Sequence, residues 1–317
     1  MRRLIECVPN ISEGRNLEKI KIIINHINNL EKVKILDVDS GEDTNRTVIT
    51  IVGEPHIVAE AAFQTIKISS ELIDMRQHSG THPRIGSTDV CPFIPISGVS
   101  VDECVKISKD VAKRVGNELS IPVYLYEKSA RNKNRSKLPD IRRGEYEGLK
   151  DKLNDTFWLP DYGPKEINIK SGATIIGCRD FLIAYNINLN SRDKRLATDI
   201  AFELRESGRS KRIPNPKSKN KLDGDILRYS DGRPKKVAGK FKDVKAIGWY
   251  VDKFKRVQIS INFNNYKVSS IQEVYDEACK LAHERGIRVT GSELIGLIPL
   301  DAIYSAGIYY LKKQNRS

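Results

Sequence analysis

Hydrophobic and polar positions alternate along the chain with two different periods, which predicts a protein of mixed helices and strands. Between Leu17 and Asn28, apolar residues recur every three or four positions, as on one face of a helix. A second helical pattern begins at Pro55, and proline suits the first turn of a helix. Short apolar or alternating runs such as Val33–Asp39 and Arg46–Val52 indicate strands instead.

The same two periods predict elements over the whole chain. The predicted helices are Leu17–Asn28, Pro55–Ile73, Val101–Leu119, Glu145–Leu153, Asp193–Arg205, Ile271–Glu284 and Asp301–Leu311. The predicted strands are Leu4–Val8, Val33–Asp39, Arg46–Val52, Val90–Ile96, Val123–Tyr126, Ile175–Ile176, Phe181–Leu189, Ala246–Val251, Val257–Phe263 and Ile287–Thr290. The segment Gly291–Pro299 is predicted to be a loop.

The order of these elements predicts the fold class. The strands come in short sets, and the sequence contains no GxGxxG or Walker loop of a nucleotide-binding domain. We therefore expect an α/β (α+β) protein of two subdomains, residues 1–179 and 180–317. Each is expected to be a mixed β-sheet packed against helices, ferredoxin-like in character.

Composition narrows the class of protein further. The chain is 39% hydrophobic and 30% charged, as in soluble globular proteins, and no run of eighteen apolar residues predicts a membrane span. The N-terminus has no apolar signal core before its first acidic residue. The five cysteines are scattered and form no CxxC pair, which indicates reduced, mostly buried thiols. We expect a cytoplasmic protein.

The net charge of +13 is concentrated in two segments. Ser207–Asp243 carries twelve Lys or Arg against four Asp, and Arg131–Arg143 carries six against one. Both segments hold few aromatic residues and no known nucleic-acid motif, so binding of nucleic acid is not favoured. A smaller polyanion as ligand and a solvated basic surface without a partner both remain open.

The segment Asp74–Pro95 is the strongest candidate for chemistry, because it concentrates imidazole, guanidinium and carboxylate groups between Gly and Pro residues: His78, His82, Arg76, Arg84 and Asp89. His78 and His82 have the spacing of two metal ligands on a helix, but Pro83 disfavours a helix there, so no metal site is expected. A surface loop with a hydrogen-bonded histidine and a general base with a pKa near the working pH both remain open.

Several motifs together resemble one family, glutamate formimidoyltransferase, the formiminotransferase half of the bifunctional formiminotransferase–cyclodeaminase. They cover nearly the whole chain: Glu6–Arg15, Leu36–Gly41, Asn45–Val48, Asp74–Pro95, Pro122–Tyr126, Ile141–Arg142, Gly144–Glu147, Pro160–Pro164, Phe181–Leu189, Ala246–Tyr250 and Gly291–Leu300. The resemblance implies transfer of a formimidoyl group between N-formimidoyl-L-glutamate and N5 of tetrahydrofolate, in histidine degradation. It also implies two α/β subdomains with the folate between them, a homodimer, and tetrahydrofolate as co-substrate without a metal.

The resemblance also assigns residues. It implies that His82 is the catalytic acid/base, that Asp39 lies beside it, and that one loop contributes to folate binding: Gly163, Pro164, Lys165, Glu166, Ile167, Asn168, Ile169, Lys170, Ser171 and Gly172. We expect Asp39 to hydrogen-bond the imidazole and set its tautomer. Asp37 is a weaker candidate, because an aspartate at a strand end can also cap a turn.

Roles for other residues stay open. Arg46 and Arg84 could bind the carboxylates of the glutamate substrate or form structural ion pairs. His78 is expected to support the site or to contact substrate. Trp158 and Tyr162 could flank the pterin ring or be buried in the core. The Arg131–Arg143 segment could bind the polyglutamate tail of a folate, or be a merely basic surface.

Two other functions compete with this assignment. An enzyme of the same fold could move a formyl group from 5-formyltetrahydrofolate to glutamate, and no residue pattern separates the two donors. A basic folate- or nucleic-acid-binding protein without catalysis is the other alternative. Because no cyclodeaminase sequence follows Ser317, the later conversion of the product is expected to belong to a separate cyclodeaminase.

Overall fold

In a computed structural model of the chain, the first half contains five α-helices and seven strands among the residues described. The helices are α1 (Leu17–Asn28), α2 (Pro55–Leu72), α3 (Val101–Glu118), α4 (Leu138–Arg142) and α5 (Leu149–Asn154). The strands are β1 (Leu4–Cys7), β2 (Asn10–Ile11), β3 (Val33–Gly41), β4 (Arg46–Gly53), β5 (Thr88–Ser97), β6 (Val123–Glu127) and β7 (Thr174–Cys178). Short 3₁₀ helices cover Lys133–Arg135 and Thr156–Trp158.

The second half continues the alternation of strands and helices. Its strands are β8 (Ile183–Leu189), β9 (Arg209–Ser210), β10 (Lys236–Val237), β11 (Val244–Val251), β12 (Arg256–Phe263) and β13 (Val289–Ile295). Its helices are α6 (Lys194–Leu204), α7 (Ile271–Glu284) and α8 (Leu300–Lys313). Contacts divide the chain into two units, Met1–Asp180 and Phe181–Ser317.

The structure describes residues 2–218 and 220–315. Lys219 of the basic Ser207–Asp243 segment lies outside the described residues, as do Met1 and the two residues that end the second predicted subdomain, Arg316 and Ser317. Within the described ranges, no helix is both long enough and apolar enough to cross a membrane.

The first unit is built on a mixed sheet. Strands β3, β4, β1 and β5 lie side by side in that order and are antiparallel, with β2 bridging β4 and β5. Strand β7 then adds in parallel to β5, and β6 adds in parallel to β7. Apolar residues of β1 and β4, such as Ile5 and Ile51, are fully buried in the cores shared with helices α1 to α3.

The second unit has an antiparallel sheet of order β11-β12-β8-β13, whereas a mixed sheet was expected. Its elements run βαββαβ, and each helix connection passes over one strand position. Parallel strands joined by a helix are therefore separated by an antiparallel strand. The first unit repeats this arrangement in β1, α1, β3, β4, α2 and β5, and becomes mixed only through β6 and β7. The ferredoxin-like character is thus present in both units.

Several short elements differ from the sequence prediction. Strand β13 runs to Ile295, where a loop was predicted from Gly291, because these residues pair with β8 from Leu189 to Ala184. The register shifts between Val289 and Gly291, and this irregularity masks the strand in the sequence. Strands β9 and β10 pair inside the basic Ser207–Asp243 segment. The prediction of mostly buried free thiols is confirmed, since only Cys279 is partly exposed.

Candidate functional site

The loop between α2 and β5 is fastened to the turn between β3 and β4. His78 Nε2 lies 2.9 Å from the carbonyl oxygen of Asn45, and Thr81 N donates to Asp43 O over 3.2 Å. Gly80 packs so closely that a Cβ atom there would lie 2.3 Å from Thr44 O. Only glycine allows this approach. The loop between α2 and β5 (the histidine loop) is therefore held in one position against the turn between β3 and β4.

His78 is held as a neutral imidazole. Its Nε2 faces the carbonyl of Asn45, which can only accept, and its Nδ1 accepts a hydrogen bond from Arg84 Nε at 3.1 Å. Burial lowers the pKa of His78 below 6.5, although the backbone carbonyl opposes this change. Both ring nitrogens are therefore engaged within the chain, which fits a residue that supports the site.

His82, the predicted acid/base, is half-buried after a tight turn. Its Nδ1 lies 2.8 Å from the carbonyl oxygen of Pro83, so Nδ1 carries the proton and the lone pair of the neutral ring is on Nε2. Burial lowers the pKa of His82 well below 6.5, and the positive charges of Arg46 and Arg142 lower it further, against Asp89. The pKa is thus lower than the near-neutral value expected, and the ring is a proton acceptor at neutral pH.

A buried cluster of Arg46, Asp89 and Arg142 supplies part of the positive charge that lowers the pKa of His82. Asp89 is fully buried and accepts hydrogen bonds from Arg46 Nη1 at 2.7 Å, from Arg142 Nε at 3.2 Å and from the Ile85 amide at 3.1 Å. Burial alone would raise the pKa of Asp89, but Arg142 and Arg46 outweigh it and hold the pKa at about 2. Two guanidinium groups share one carboxylate, so the cluster retains one positive charge. Arg46 also donates to Asn10 Oδ1 at 2.8 Å.

Arg84 lies in a second cluster, on the wall of an open cavity. Its Nη1 donates to Glu145 at 2.9 Å, and its Nη2 donates to Glu147 at 2.6 Å. The cavity has a volume of about 420 Å³ and is lined by His78, Ser79, Gly80, Arg84, Gly144, Glu145 and Glu147. Arg46 and Arg84 both form ion pairs, which is one of the two alternatives left open for them. Their contact with substrate stays a prediction.

Asp39 and Arg46 share one face of the first sheet. Ile49 and Ile51 of β4 point into the core with α1, so the alternate residues Arg46 and Val48 point to the opposite face. Asp39 pairs directly with Val48, which places it on that same face, diagonal to Arg46. Asp37, two residues from Asp39 along β3, pairs with Thr50. The carboxylate predicted to serve His82 is therefore on the face that also carries the Arg46–Asp89 cluster.

The predicted folate-binding stretch, residues 163–172, packs against the histidine loop. Met75 N donates to Lys170 O, and Ser87 N donates to Ser171 O, each over 2.8 Å. Ser171 and Gly172 are buried in this contact, whereas other residues of the stretch are exposed: Gly163, Lys165, Glu166, Ile169 and Lys170. The structure thus brings this stretch and the histidine loop together, while the folate role itself stays a prediction.

The aromatic residues near this stretch are packed into the protein. Trp158 lies partly buried against the core under α4 and α5, and Lys152 Nζ lies 4.7 Å from its ring centre. Tyr162 packs against the core under α3, with the Arg131 guanidinium 4.5 Å from its ring centre. These contacts favour the core alternative over stacking on a pterin ring.

Two members of these clusters, Arg142 and Asp89, were not assigned to the site from the sequence. Arg142 was assigned to the basic Arg131–Arg143 segment, and Asp89 was given no role, because their pairing joins positions 53 residues apart. Their presence in two of the family motifs was the available indication.

Among the residues the structure describes, no group of three His, Cys, Asp or Glu side chains could hold a metal ion.

Comparison with known proteins gives matches over nearly the whole chain. The family model described as the formiminotransferase domain, N-terminal subdomain, matches residues 4–179, and that of the formiminotransferase domain matches residues 184–317. A formimidoyltransferase-cyclodeaminase of Rattus norvegicus is 44% identical over 99% of this chain, which spans only 53% of that protein. The chain thus spans about half the length of this relative.

Two shorter relatives match end to end. A glutamate formimidoyltransferase of Streptococcus pyogenes serotype M1 is 37% identical over 99% of this chain and 95% of its own length. A protein of the same name from Thermoplasma acidophilum is 38% identical over 98% of this chain and 92% of its own length.

Proposed function

The chain belongs to the formiminotransferase family, and on this premise we propose that it transfers the formimidoyl group between N-formimidoyl-L-glutamate and N5 of tetrahydrofolate. Tetrahydrofolate is then a co-substrate, and the enzyme is a one-carbon group transferase. The two relatives named glutamate formimidoyltransferase, which match this chain nearly end to end, support the proposal.

The observation that carries the proposal is the fixed, neutral imidazole of His82. Transfer to the folate begins when N5 attacks the amidine carbon and forms a tetrahedral centre. N5 must then lose a proton, and the glutamate nitrogen must gain one before its bond to carbon breaks. A single group that accepts the first proton and donates the second serves both needs. With Nδ1–H held by Pro83 O, the Nε2 atom of His82 has the lone pair for this role.

Neighbouring residues are given supporting roles in the proposal. Asp39, on the face that carries Arg46, steadies the imidazolium that forms between the two proton transfers. The low pKa of His82 makes its protonated form a strong acid, which favours prompt donation to the leaving nitrogen. Residues 163–172 contribute to folate binding, supported by their contact with the histidine loop.

The partner assignments are also proposals. We propose a homodimer, as the resemblance implies, and sedimentation of the purified chain tests it: a single species of one-chain mass would contradict the dimer. A polyglutamylated folate is the proposed natural form of the co-substrate, and a cyclodeaminase consumes the product.

The decisive experiment mixes the protein with tetrahydrofolate and N-formimidoyl-L-glutamate. The product, 5-formimidoyltetrahydrofolate, is detected as the methenyl chromophore after acid treatment. Turnover is expected with the natural chain. Turnover only with 5-formyltetrahydrofolate and glutamate would replace the formimidoyl donor by a formyl donor. Binding of folate without either reaction would leave a non-catalytic binding protein.

A further inference from the structure

The sheet of the second unit carries a polar network on the face opposite its helices. In β12, Ile259 and Ile261 point into the core with α6 and α7, so Gln258 and Ser260 point the other way. Gln258 pairs with Trp249 of β11 on one side and with Asn188 of β8 on the other. Motifs around Trp249 and Glu293, which the proposed reaction does not use, therefore meet on this face.

The network is buried and organised around one carboxylate. Glu293 Oε2 accepts a hydrogen bond from Asn186 at 3.1 Å and another from Gln258 at 3.3 Å. Asn186 and Gln258 are only 5% and 2% exposed, so both amides depend on partners within the protein. Gln258 also accepts from the indole N–H of Trp249 at 3.0 Å and donates to Asn188 at 2.6 Å.

These contacts fix Glu293 and leave half of its carboxylate available. Oε1 of Glu293 makes no hydrogen bond to any residue in the described part of the chain. A carboxylate oxygen accepts strongly from N–H groups, and such bonds are stronger than those between neutral groups. A ring with N–H donors on its edge matches this acceptor.

We propose that this face of the second unit binds the 2-amino-4-oxopyrimidine ring of tetrahydrofolate, with Glu293 accepting from the N–H groups of that ring edge. The proposal rests on the proposed function, because it names where the folate of that reaction is recognised. Charge supports the folate ring over the carboxylates of the glutamate substrate, since these would be repelled by Glu293.

Asn186 and Gln258 have a positioning role in this assignment. Asn186 donates to Glu293, and Gln258 donates to Glu293 and Asn188. Both amides therefore hold the carboxylate in one orientation before the ring arrives. Such preorganisation lowers the entropy lost on binding. A glutamine at position 293 would keep the shape of the side chain but lose the charge and one of its acceptor oxygens.

The first test compares the Glu293→Gln variant with the natural chain by calorimetric titration with 5-formyltetrahydrofolate, a stable folate. Loss of a charge-assisted hydrogen bond should weaken binding roughly ten- to a hundredfold. Glu284→Gln removes the same charge from an exposed position at the end of α7 and should leave affinity unchanged. Equal folate affinity of Glu293→Gln and the natural chain would overturn the inference.

A second test changes the ligand, and its first comparison uses the natural chain alone, so that comparison does not depend on the variant folding. The folate analogue without the 2-amino group should bind the natural chain less tightly than the parent compound. Both compounds should bind Glu293→Gln with nearly equal affinity, because the acceptor of the amino group is gone. An equal loss of affinity in both proteins would contradict a contact between Glu293 and the amino group.

Two further outcomes separate this inference from the proposed function. If Glu293→Gln raises KM for N-formimidoyl-L-glutamate and leaves folate affinity intact, the carboxylate binds the amidine and the ring assignment is wrong. If the natural chain transfers the group and only the Glu293 contacts fail, the proposed function stands alone. If the natural chain neither binds folate nor transfers the group, both are wrong.

Discussion

His82 combines a fixed tautomer with a low pKa, and each property affects a different measurement. The His82→Ala substitution removes the proposed acid/base, whose contribution is typically about a hundred- to ten-thousandfold in rate. We expect kcat to fall by roughly that factor while affinity for 5-formyltetrahydrofolate stays near that of the natural chain. Loss of folate affinity with kcat preserved would contradict the catalytic role.

The lowered pKa values of His78 and His82 predict how stability depends on pH. Below about pH 6.5 the unfolded chain protonates these histidines, whereas the folded chain resists until lower pH. The free energy of unfolding should therefore fall as pH is lowered from about 6.5, by up to roughly 1.4 kcal/mol for each pKa unit of difference. Urea unfolding between pH 7.5 and 5 measures this slope.

A variant identifies the source of the slope. His82→Gln should flatten the pH dependence, and the same change at the exposed His56 should leave it as in the natural chain. The carboxylate Asp89 cannot imitate this effect. Its pKa is held at about 2, so its contribution is lost only at still lower pH, between its unfolded value near 3.8 and 2. A slope that survives His82→Gln unchanged would contradict the low pKa of this residue.

Asp89 offers a comparison between a buried and an exposed ion pair. Asp89→Asn leaves Arg46 and Arg142 without their shared countercharge, with side chains only 9% and 13% exposed. Breaking a buried pair in this way costs about 3–5 kcal/mol. Asp140→Asn breaks the exposed pair with Arg143 and should cost less than about 1 kcal/mol. Equal losses in chemical denaturation would show that burial of Asp89 is unimportant.

Helix α3 packs closely against residues 163–172, the predicted folate-binding stretch (the folate stretch), and so fixes its position. Gly116 of α3 faces the start of that stretch, and a Cβ atom there would lie 2.5 Å from Gly163 N. Gly116→Ala should therefore displace residues 163–172, destabilise the protein by about 1–3 kcal/mol and raise KM for tetrahydrofolate. The helix preference of alanine, worth about 1 kcal/mol, is too small to reverse the sign.

Gly307 of α8 is the matched position for this substitution. A Cβ atom there would meet nothing within 4 Å, so Gly307→Ala should stabilise the helix by about 1 kcal/mol without altering KM. Thermal unfolding and steady-state kinetics of the two variants together check the pair of expectations. A similar change in KM from both substitutions would contradict the contact between α3 and the folate stretch.

Long periodic elements were predictable from the sequence, and elements made by pairing were not. Helices α1 and α7 have the predicted bounds because each buries one apolar stripe and is ended by local residues. Strand β13 was predicted to end early, because only its pairing with β8 continues it past Gly291. The histidine loop was found through its composition, whereas the Arg142–Asp89 pair required the fold.

At the scale of the whole molecule, folding places several arginines of the Arg131–Arg143 segment in ion pairs. Arg135 pairs with the buried Asp161, Arg142 pairs with Asp89, and Arg143 pairs with Asp140. Arg131 lies over Tyr162, and Lys133 and Lys137 are exposed and form no ion pair with any described residue. The suggestion that this segment binds a polyglutamate tail therefore depends mainly on two lysines.

These two lysines allow the tail hypothesis to be measured. Each added tail glutamate should improve folate affinity by about two- to fivefold at low salt, as exposed ion pairs do. The gain should fade above about 0.1 M salt, where charges are screened within about 10 Å. Replacing Lys133 and Lys137 by Ala should reduce the gain, and replacing Lys235 and Lys236 should not. Equal affinity for mono- and polyglutamates would rule the hypothesis out.

The similar element order of the two halves was visible in the sequence, but the shared strand order was not. Register and strand order depend on which apolar faces meet, and many combinations of Ile, Val and Ala fill a core equally well. The two sheets therefore share their topology without a recognisable sequence repeat.

The continuity of the first sheet has a consequence for biosynthesis. All its strands, from β1 to β7, lie in one stretch of chain that ends at Cys178. Once this stretch has left the ribosome, the sheet and the histidine loop can form while the second unit is still being translated. At about 5–20 residues per second, translation of residues 179–317 lasts on the order of ten seconds, far longer than small domains usually need to fold. The nascent chain can thus bury the apolar residues of the first sheet before residues 179–317 have been made.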